Sequence, residues 1–215
     1  MTAELLLYIG NKRYSSWSLR PYLALAATGA PFRTQLIHLD APDTRRNILA
    51  VNKAGRVPVL RHGDLWVHDS LAICEYVHEL FPDAGLWPAD RATRARARAI
   101  TAEMHSSFAA MRTSMTMDLL GSRPGVGHTP EALADAARVM ELWREARARA
   151  TGGPFLFGTF TIADAFFAPV TTRFTTYHVP MDDVSQAYVA AVQALPSFQA
   201  WLDDARGEPE LPDHK

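Results

Sequence analysis

Residues 51–79 read VNKAGRVPVLRHGDLWVHDSLAICEYVHE, and they constrain the fold more than any other part of the chain because they set three elements in order. The apolar run Val57-Pro58-Val59-Leu60 has the length of a buried strand, His62-Gly63-Asp64 supplies a tight turn, and Leu65-Trp66-Val67 runs back as a second strand. Asp69-Ser70 then opens an amphipathic helix through Leu71, Ala72, Cys74, Val77 and Phe81. Proline has no N–H to give to a strand ladder. Pro58 at the head of the first strand therefore implies an edge, a bulge or a cis peptide that frees the backbone of Val57. The Asp69 and Ser70 oxygens can accept the unpaired N–H groups of the first helical turn, and those same N–H groups attract anions. Capping and anion binding are both open readings of this pair.

Upstream, Leu5-Leu6-Leu7-Tyr8-Ile9 is closed at once by Gly10-Asn11, which fits a buried strand, with Tyr8 read as part of its core. A polar stretch over residues 11–18 leads into helical text over residues 19–27 that stops at Gly29. Proline is best tolerated in a first turn, so Pro21 predicts a helix that starts near Trp17 or Ser18, with Ser15 and Ser16 just ahead of it. Serines placed there sit at the positive pole of the helix, where serine commonly serves as a cap. Residues 32–39, FRTQLIHL, alternate and read as a strand; Asp40-Ala41-Pro42-Asp43 makes a turn before a short helix through Arg45, Ile48 and Leu49. The order up to residue 81 is β-α-β-α-β-β-α, a small mixed α/β layer.

The run Pro82-Asp83-Ala84-Gly85-Leu86-Trp87-Pro88-Ala89-Asp90 has the composition of a linker, so residues 82–91 are expected to join a domain over 1–81 to a second over 92–215. The second part is Ala/Arg-rich helical text, with helices expected over 92–120 and 130–151 on either side of a Gly/Pro loop, and Thr129-Pro130-Glu131 as a helix start. Met104, Phe108, Met111, Arg112 and Met115 recur at helical spacing on the first long helix and read as a packed face, where His105 and Arg112 could reach a polar second ligand. Arg91, Arg94, Arg96 and Arg98 have few aromatic neighbours and read as a solvated face or a subunit rim rather than a nucleic-acid stripe. Thr161-Ile162-Ala163-Asp164 has the spacing of a capping box, with Asp in place of Glu, and starts a helix apolar on nearly every side. The last helices are expected over 185–195 and 198–205, ended by Gly207.

A formal net charge of −1 gives no bulk attraction to nucleic acid or to an anionic membrane. No apolar run approaches the roughly 20 residues a bilayer requires, and the start MTAELLLYIG does not read as a secretion signal, so the cytoplasm is the expected location. A single cysteine, Cys74, excludes an intrachain disulfide and a CxxC site. Neither a metal-binding His spacing nor a nucleophile elbow is present, and the Gly-x-Gly at Gly125 lacks the strand-turn-helix setting of a phosphate cradle.

These motifs resemble the glutathione S-transferase superfamily. In that family a Val-Pro step holds a cis proline at the third strand, and the residue before it pairs through its backbone with the cysteinyl part of glutathione; the resemblance puts Val57 and Pro58 there. An acid-serine pair at the next helix holds the γ-glutamyl end. That role falls on Asp69 for the ammonium and on Ser70, with the helix N–H groups, for the carboxylate, Asp standing where the family more often has Glu or Gln. Ser15-Ser16-Trp17-Ser18-Leu19-Arg20 is similar to the Ser-Ser-Cys-Ser-Trp-Arg motif of the zeta class, the maleylacetoacetate isomerase branch, whose first serine activates the glutathione thiol. The resemblance assigns that role to Ser15, with Ser16 beside it and Trp17 in place of cysteine. Tyr8 lies at the end of the first strand, where other transferase classes place a catalytic tyrosine. Arg56, Lys12, Lys53 and His38 are candidates to meet the glycyl carboxylate.

What the resemblance implies is a thioredoxin-like α/β N-terminal domain followed by an all-α helical domain that shapes the acceptor pocket. Glutathione would be a co-substrate with no metal, the second substrate a small electrophile, and the assembly a homodimer that binds neither nucleic acid nor membrane. The implied reaction is addition or substitution by the glutathione thiolate. A zeta-like cis-trans isomerase and a transferase-fold binding protein without turnover are the alternatives.

Overall fold

A computed structural model describes residues 4–211. Four short strands, β1 (Leu5–Ile9), β2 (Arg33–Leu36), β3 (Val59–His62) and β4 (Leu65–His68), form one sheet in the order β2-β1-β3-β4. β1 runs parallel to β2, with Leu7 opposite Thr34, and antiparallel to β3, with Leu7 opposite Leu60. His62 faces Leu65 across the β3-β4 hairpin, so Gly63 and Asp64 alone make the turn, and Gly63 takes it at a φ of 60°. Successive side chains of a strand point to opposite faces. Leu7, Ile9 and Leu60 are accordingly buried with Leu19 and Leu23 of α1 (Ser16–Ala27) and Ile73, Cys74 and Val77 of α3 (Ser70–Leu80). Tyr8 points the other way and stacks on the exposed ring of Trp66, with centroids 5.6 Å apart. α2 (Thr44–Val51) fills the connection between β2 and β3.

Two boundaries differ from the sequence expectation. α1 begins at Ser16 rather than at Trp17 or Ser18, which moves Pro21 into the helix interior. There its missing N–H removes the bond that the Trp17 carbonyl would accept. The Ser15 carbonyl still takes both the Ser18 and Leu19 N–H groups at 3.2 Å, so the start is fixed by that residue. The Val57–Pro58 peptide is cis and precedes β3, which begins at Val59.

The remaining helices are α4 (Arg91–Ser106), α5 (Ala109–Ser114), α6 (Pro130–Arg149), α7 (Ile162–Tyr177), α8 (Asp183–Gln193) and α9 (Pro196–Arg206). The single helix expected over 92–120 is instead two, because Ser107 is extended and Phe108 is left-handed at a φ of 65°. The carbonyls that a helix end leaves without partners are taken by Arg112, whose guanidinium donates to Ser107 at 2.8 Å and to Met104. Arg112 is thereby spent on structure. Met104, Phe108, Met111 and Met115 are all buried, although not on one continuous helix. The arginine stripe is also partly structural. Arg94 donates to the carbonyls of Pro88 and Ala89, while Arg98 pairs with Glu75 at 3.3 Å over the ring of Trp87.

α7 is the centre of the helical half, with all but Thr175 of its residues buried, and it packs against α1, α4 and α8. Its start is held by Asp164. That carboxylate accepts the Thr161 N–H at 2.8 Å, the Thr161 hydroxyl at 3.0 Å, the Leu156 N–H at 3.0 Å and the Tyr188 hydroxyl at 3.2 Å. Among the described residues no helix is long and apolar enough to cross a membrane.

Candidate active site

A cleft of about 880 Å³ opens where the starts of α1 and α3 face the end of α4. Of the residues named from sequence, its lining brings together Ser15, Ser16, Arg56, Val57, Pro58, Asp69 and Ser70, and it adds Trp17, His68, His105 and Ser106. The other basic candidates do not line it. Lys12 is turned to Asp204 and over the rings of Tyr22 and Trp201, and Lys53 and His38 are exposed outside the cleft.

Ser15 occupies the N-cap position of α1, yet its hydroxyl makes no capping bond. It lies 2.8 Å from the hydroxyl oxygen of Ser18, which accepts the Gly10 N–H at 3.1 Å. A hydroxyl has one proton and two lone pairs. Either hydroxyl can be the donor in this pair; where Ser18 donates to Ser15, the proton of Ser15 is left to face the cleft, at the positive pole of α1. Ser18, fully buried, is the residue to which sequence reasoning gave no role; its signals were the matching serine of the zeta-class motif and a three-residue spacing from Ser15. Gly10 keeps room behind the pair, since a Cβ there would stand 3.1 Å from the Ser15 oxygen and 2.9 Å from Leu39 Cδ1. Ser16, the first residue of α1, is 7% exposed and lines the cleft beside it.

At the second helix start the two open readings separate. Asp69, at a φ of 76°, does the capping: Oδ1 accepts the N–H groups of Leu71 at 2.8 Å and Ala72 at 3.3 Å. Ser70 is 1% exposed and its hydroxyl has no hydrogen-bond partner among the described residues. A buried hydroxyl left unbonded costs roughly 1–3 kcal/mol, so a ligand that accepts from it gains that much in principle. Val57 adds a backbone edge, because neither its N–H nor its C=O has a partner among the described residues. The Arg56 side chain is exposed at the rim and forms no ion pair among them.

The opposite wall comes from α4 and Trp17. His105 Nε2 lies 3.3 Å from Asp69 Oδ2, and the imidazole meets the Trp17 ring edge-on with centroids 5.4 Å apart. Burial holds His105 below the ordinary imidazole value, and the nearby Arg20 and Arg112 act in the same direction against Asp69. Behind Trp17, the guanidinium of Arg20 packs 4.2 Å from that ring and 4.6 Å from Phe166 with no hydrogen bond, and burial pushes its pKa well below the usual arginine range. Cys74 is buried and its thiol is pushed up by burial, which makes it unreactive. Among the described residues no cluster of His, Cys, Asp or Glu could hold a metal ion. A separate cavity of about 340 Å³ lies between α4 and α6, where Arg138 of its lining pairs with Glu103 at 2.9 Å.

Residues 14–80 match the family described as glutathione S-transferase, N-terminal domain, and residues 92–204 the glutathione S-transferase, C-terminal domain. The chain is 30% identical over 109 residues to a probable maleylacetoacetate isomerase of Caenorhabditis elegans, covering 51% of each. It is 36% identical over 95 residues to glutathione S-transferase 1 of Dianthus caryophyllus, covering 44% of this chain and 42% of that one. Similarity to glutathione S-transferase Z2 of Arabidopsis thaliana is 26% over 206 residues, covering 87% and 88%. The chain spans about half the length of the first two of these curated relatives. A glutathione transferase homologue from Burkholderia, solved with bound glutathione, shares the fold at a TM-score of 0.73 and 24% identity, covering 96% of this chain and 100% of that one. Poplar glutathione transferase F1 does so at 0.74 and 18%, covering 95% and 99%.

Proposed function

This chain belongs to the glutathione S-transferase family, and on that premise we propose that it binds glutathione in the cleft and activates the thiol as a thiolate for addition to, or substitution on, a small electrophile. The observation that carries the reading is that two buried serine hydroxyls, Ser15 and Ser70, stand at two helix starts on one cleft and neither is used as a cap.

In this reading the γ-glutamyl carboxylate accepts from the Ser70 hydroxyl and the first-turn N–H groups of α3, where the helix dipole favours a negative charge. The Asp69 carboxylate, already the cap, faces the ammonium. The cysteinyl backbone pairs with the N–H and C=O of Val57, and the glycyl carboxylate meets Arg56. The Ser15 hydroxyl donates to the sulfur as the thiol proton passes to solvent, with Ser16 adjacent. The thiolate then forms a carbon–sulfur bond to the electrophile, either expelling a leaving group or leaving a carbanion that takes up a proton. The acceptor packs against Trp17 and His105. Residues 1–81 supply the glutathione side, 82–91 the connection and 92–215 the acceptor side, in a cytoplasmic protein.

Glutathione at a hundredfold excess over its dissociation constant should stabilise the fold by about 2.7 kcal/mol. A hydrogen bond to a charged group contributes roughly 1.5–3 kcal/mol, so Ser70→Ala should weaken glutathione binding by about 10- to 100-fold and remove much of the shift in melting temperature. An unchanged shift in that variant would return Ser70 to a structural role and end the γ-glutamyl assignment. Turnover of a panel of electrophiles with glutathione tests the enzyme reading itself; binding with no product from any of them would leave a transferase-fold binding protein.

A second reading, glutathione-dependent cis-trans isomerisation, is favoured by the Ser15-Ser16 pair and by relatives named maleylacetoacetate isomerase. Trp17 in place of the motif's cysteine separates this chain from that pattern. A homodimer completes the proposal. β4 is an edge strand carrying Leu65 at 47% and Trp66 at 42% exposure, an apolar edge of the kind a second copy would cover. Light scattering at micromolar concentration should give twice the chain mass, and a value of one chain mass would refute it.

A further inference from the structure

The turn that carries Ser15 is held from outside itself. Within it, the Asn11 carbonyl accepts the N–H groups of Tyr14 at 3.1 Å and Ser15 at 2.8 Å. That leaves the N–H groups of Lys12 and Arg13 pointing outward at the tip. Both are taken by one carboxylate, nearly two hundred residues away in sequence, just past α9: Lys12 N–H donates to Glu208 Oε1 at 2.9 Å and Arg13 N–H to Glu208 Oε2 at 3.1 Å. Adjacent N–H groups presented together form a concave anion site, and a carboxylate fills it with two charge-assisted bonds.

The same short segment adds further ties. Trp201 Nε1 donates to the Lys12 carbonyl at 2.9 Å, the Lys12 ammonium meets Asp204, Arg13 Nη2 lies 3.4 Å from Glu210, and the Leu211 N–H donates to the Tyr14 hydroxyl at 3.3 Å. On the far side the Leu119 N–H donates to the Arg13 carbonyl at 3.2 Å, and Asp118 accepts Arg13 Nε at 2.7 Å. The Ser15 N–H hangs on this turn and the Ser15 carbonyl starts α1, so the orientation of the turn sets where the Ser15 hydroxyl points.

We propose that Glu208 is a positioning residue for thiol activation, its carboxylate locking the Lys12–Arg13 backbone so that the Ser15 hydroxyl is aimed at the glutathione sulfur. This rests on the reading of Ser15 as the activating group. Glu208 does not line the cleft, so it is not part of the glutathione contacts. Misplacing a reacting group by about 1 Å can cost about a hundredfold in rate even when the fold survives. Glu208→Gln keeps the volume but sets an amide NH₂ against one of the two backbone donors, and Glu208→Ala removes both acceptors.

The test is a titration of bound glutathione, with thiolate absorbance read against pH, together with its dissociation constant, in the wild type, Glu208→Gln, Glu208→Ala, Ser15→Ala and the Ser15→Ala/Glu208→Ala double variant. The two Glu208 variants should raise the thiol pKa by about half the shift that Ser15→Ala produces, with glutathione affinity within about twofold, and the double variant should show no more than Ser15→Ala alone, since residues acting as one unit are not additive. If Ser15→Ala leaves the thiol pKa in place, the serine reading itself fails. If Ser15→Ala moves it while both Glu208 variants do not, or if the double variant shows the sum of the two shifts, the positioning role is overturned. A Glu208 variant that loses glutathione affinity in proportion to the pKa shift also overturns it, because that outcome is a general loosening of the domain.

Discussion

Ser15→Ala is expected to raise the pKa of bound glutathione's thiol by about one to two units and to lower turnover near pH 7 by roughly 10- to 100-fold, while leaving affinity nearly intact. A thiol of this kind titrates near 8.5 and is mostly protonated at neutral pH. A hydroxyl donating to the thiolate contributes roughly 1.5–3 kcal/mol, which at about 1.4 kcal/mol per unit is the shift quoted. The α1 start adds about 0.3–1 kcal/mol in the same direction, and the variant keeps it. The loss should therefore be pH-dependent: as pH rises past the pKa of the free thiol, glutathione ionises without help and the variant approaches the wild type. Ser16→Ala and Tyr8→Phe should do much less. Tyr8 has the weaker claim on geometry as well, since its side chain stacks on Trp66 on the sheet face away from α1 and is not part of the cleft lining. A large shift in Tyr8→Phe would move the chain to the tyrosine-type transferases.

Local pattern made most of the fold legible. The apolar run placed β1 with Leu7 and Ile9 in the core, the His62-Gly63-Asp64 turn placed the hairpin, and Asp69-Ser70 placed the start of α3, because each depends on neighbours a few residues apart. Tyr8, read from sequence as core, instead lies half-buried against Trp66 on the other face of the sheet. The break between α4 and α5 was invisible for the opposite reason. The apolar spacing of Met104, Phe108, Met111 and Met115 survives the break, and what makes the break tolerable is the Arg112 side chain reaching back to two orphan carbonyls. Charge alone could not say which cation faces the cleft. Lys12 and Arg56 look alike in sequence, but Lys12 is drawn off by Asp204 and Arg56 is not. Crowding of serines at the α1 start was plain, whereas the division of labour, Ser18 supporting Ser15, is a matter of which oxygen lies 2.8 Å from which.

Asp164→Ala should be the most destabilising single substitution considered for this chain, costing about 3–5 kcal/mol in urea unfolding. The carboxylate is fully buried and receives four donors, from the Leu156 and Thr161 backbone and the Thr161 and Tyr188 hydroxyls, with no basic side chain bonded to it among the described residues. Alanine strands at least three of those donors in the core at roughly 1–3 kcal/mol each, reduced where a water or a small shift can reach them. It also unpins the start of α7, the helix on which α1, α4 and α8 pack. The pH dependence follows from the same burial. Desolvation pushes the Asp164 carboxyl up to about 6 against the pull of its donors. The unfolded chain titrates near 3.9, so between about pH 4 and 6 the folded state holds the extra proton and stability from this group falls as pH rises. Its contribution is complete below pH 4 and is lost through pH 6, a change of roughly 3 kcal/mol for about two units. The gap in unfolding free energy between wild type and Asp164→Ala should therefore be wider at pH 4 than at pH 7. A gap that widens as pH rises would mean that the four donors outweigh burial and that the carboxylate is ionised throughout.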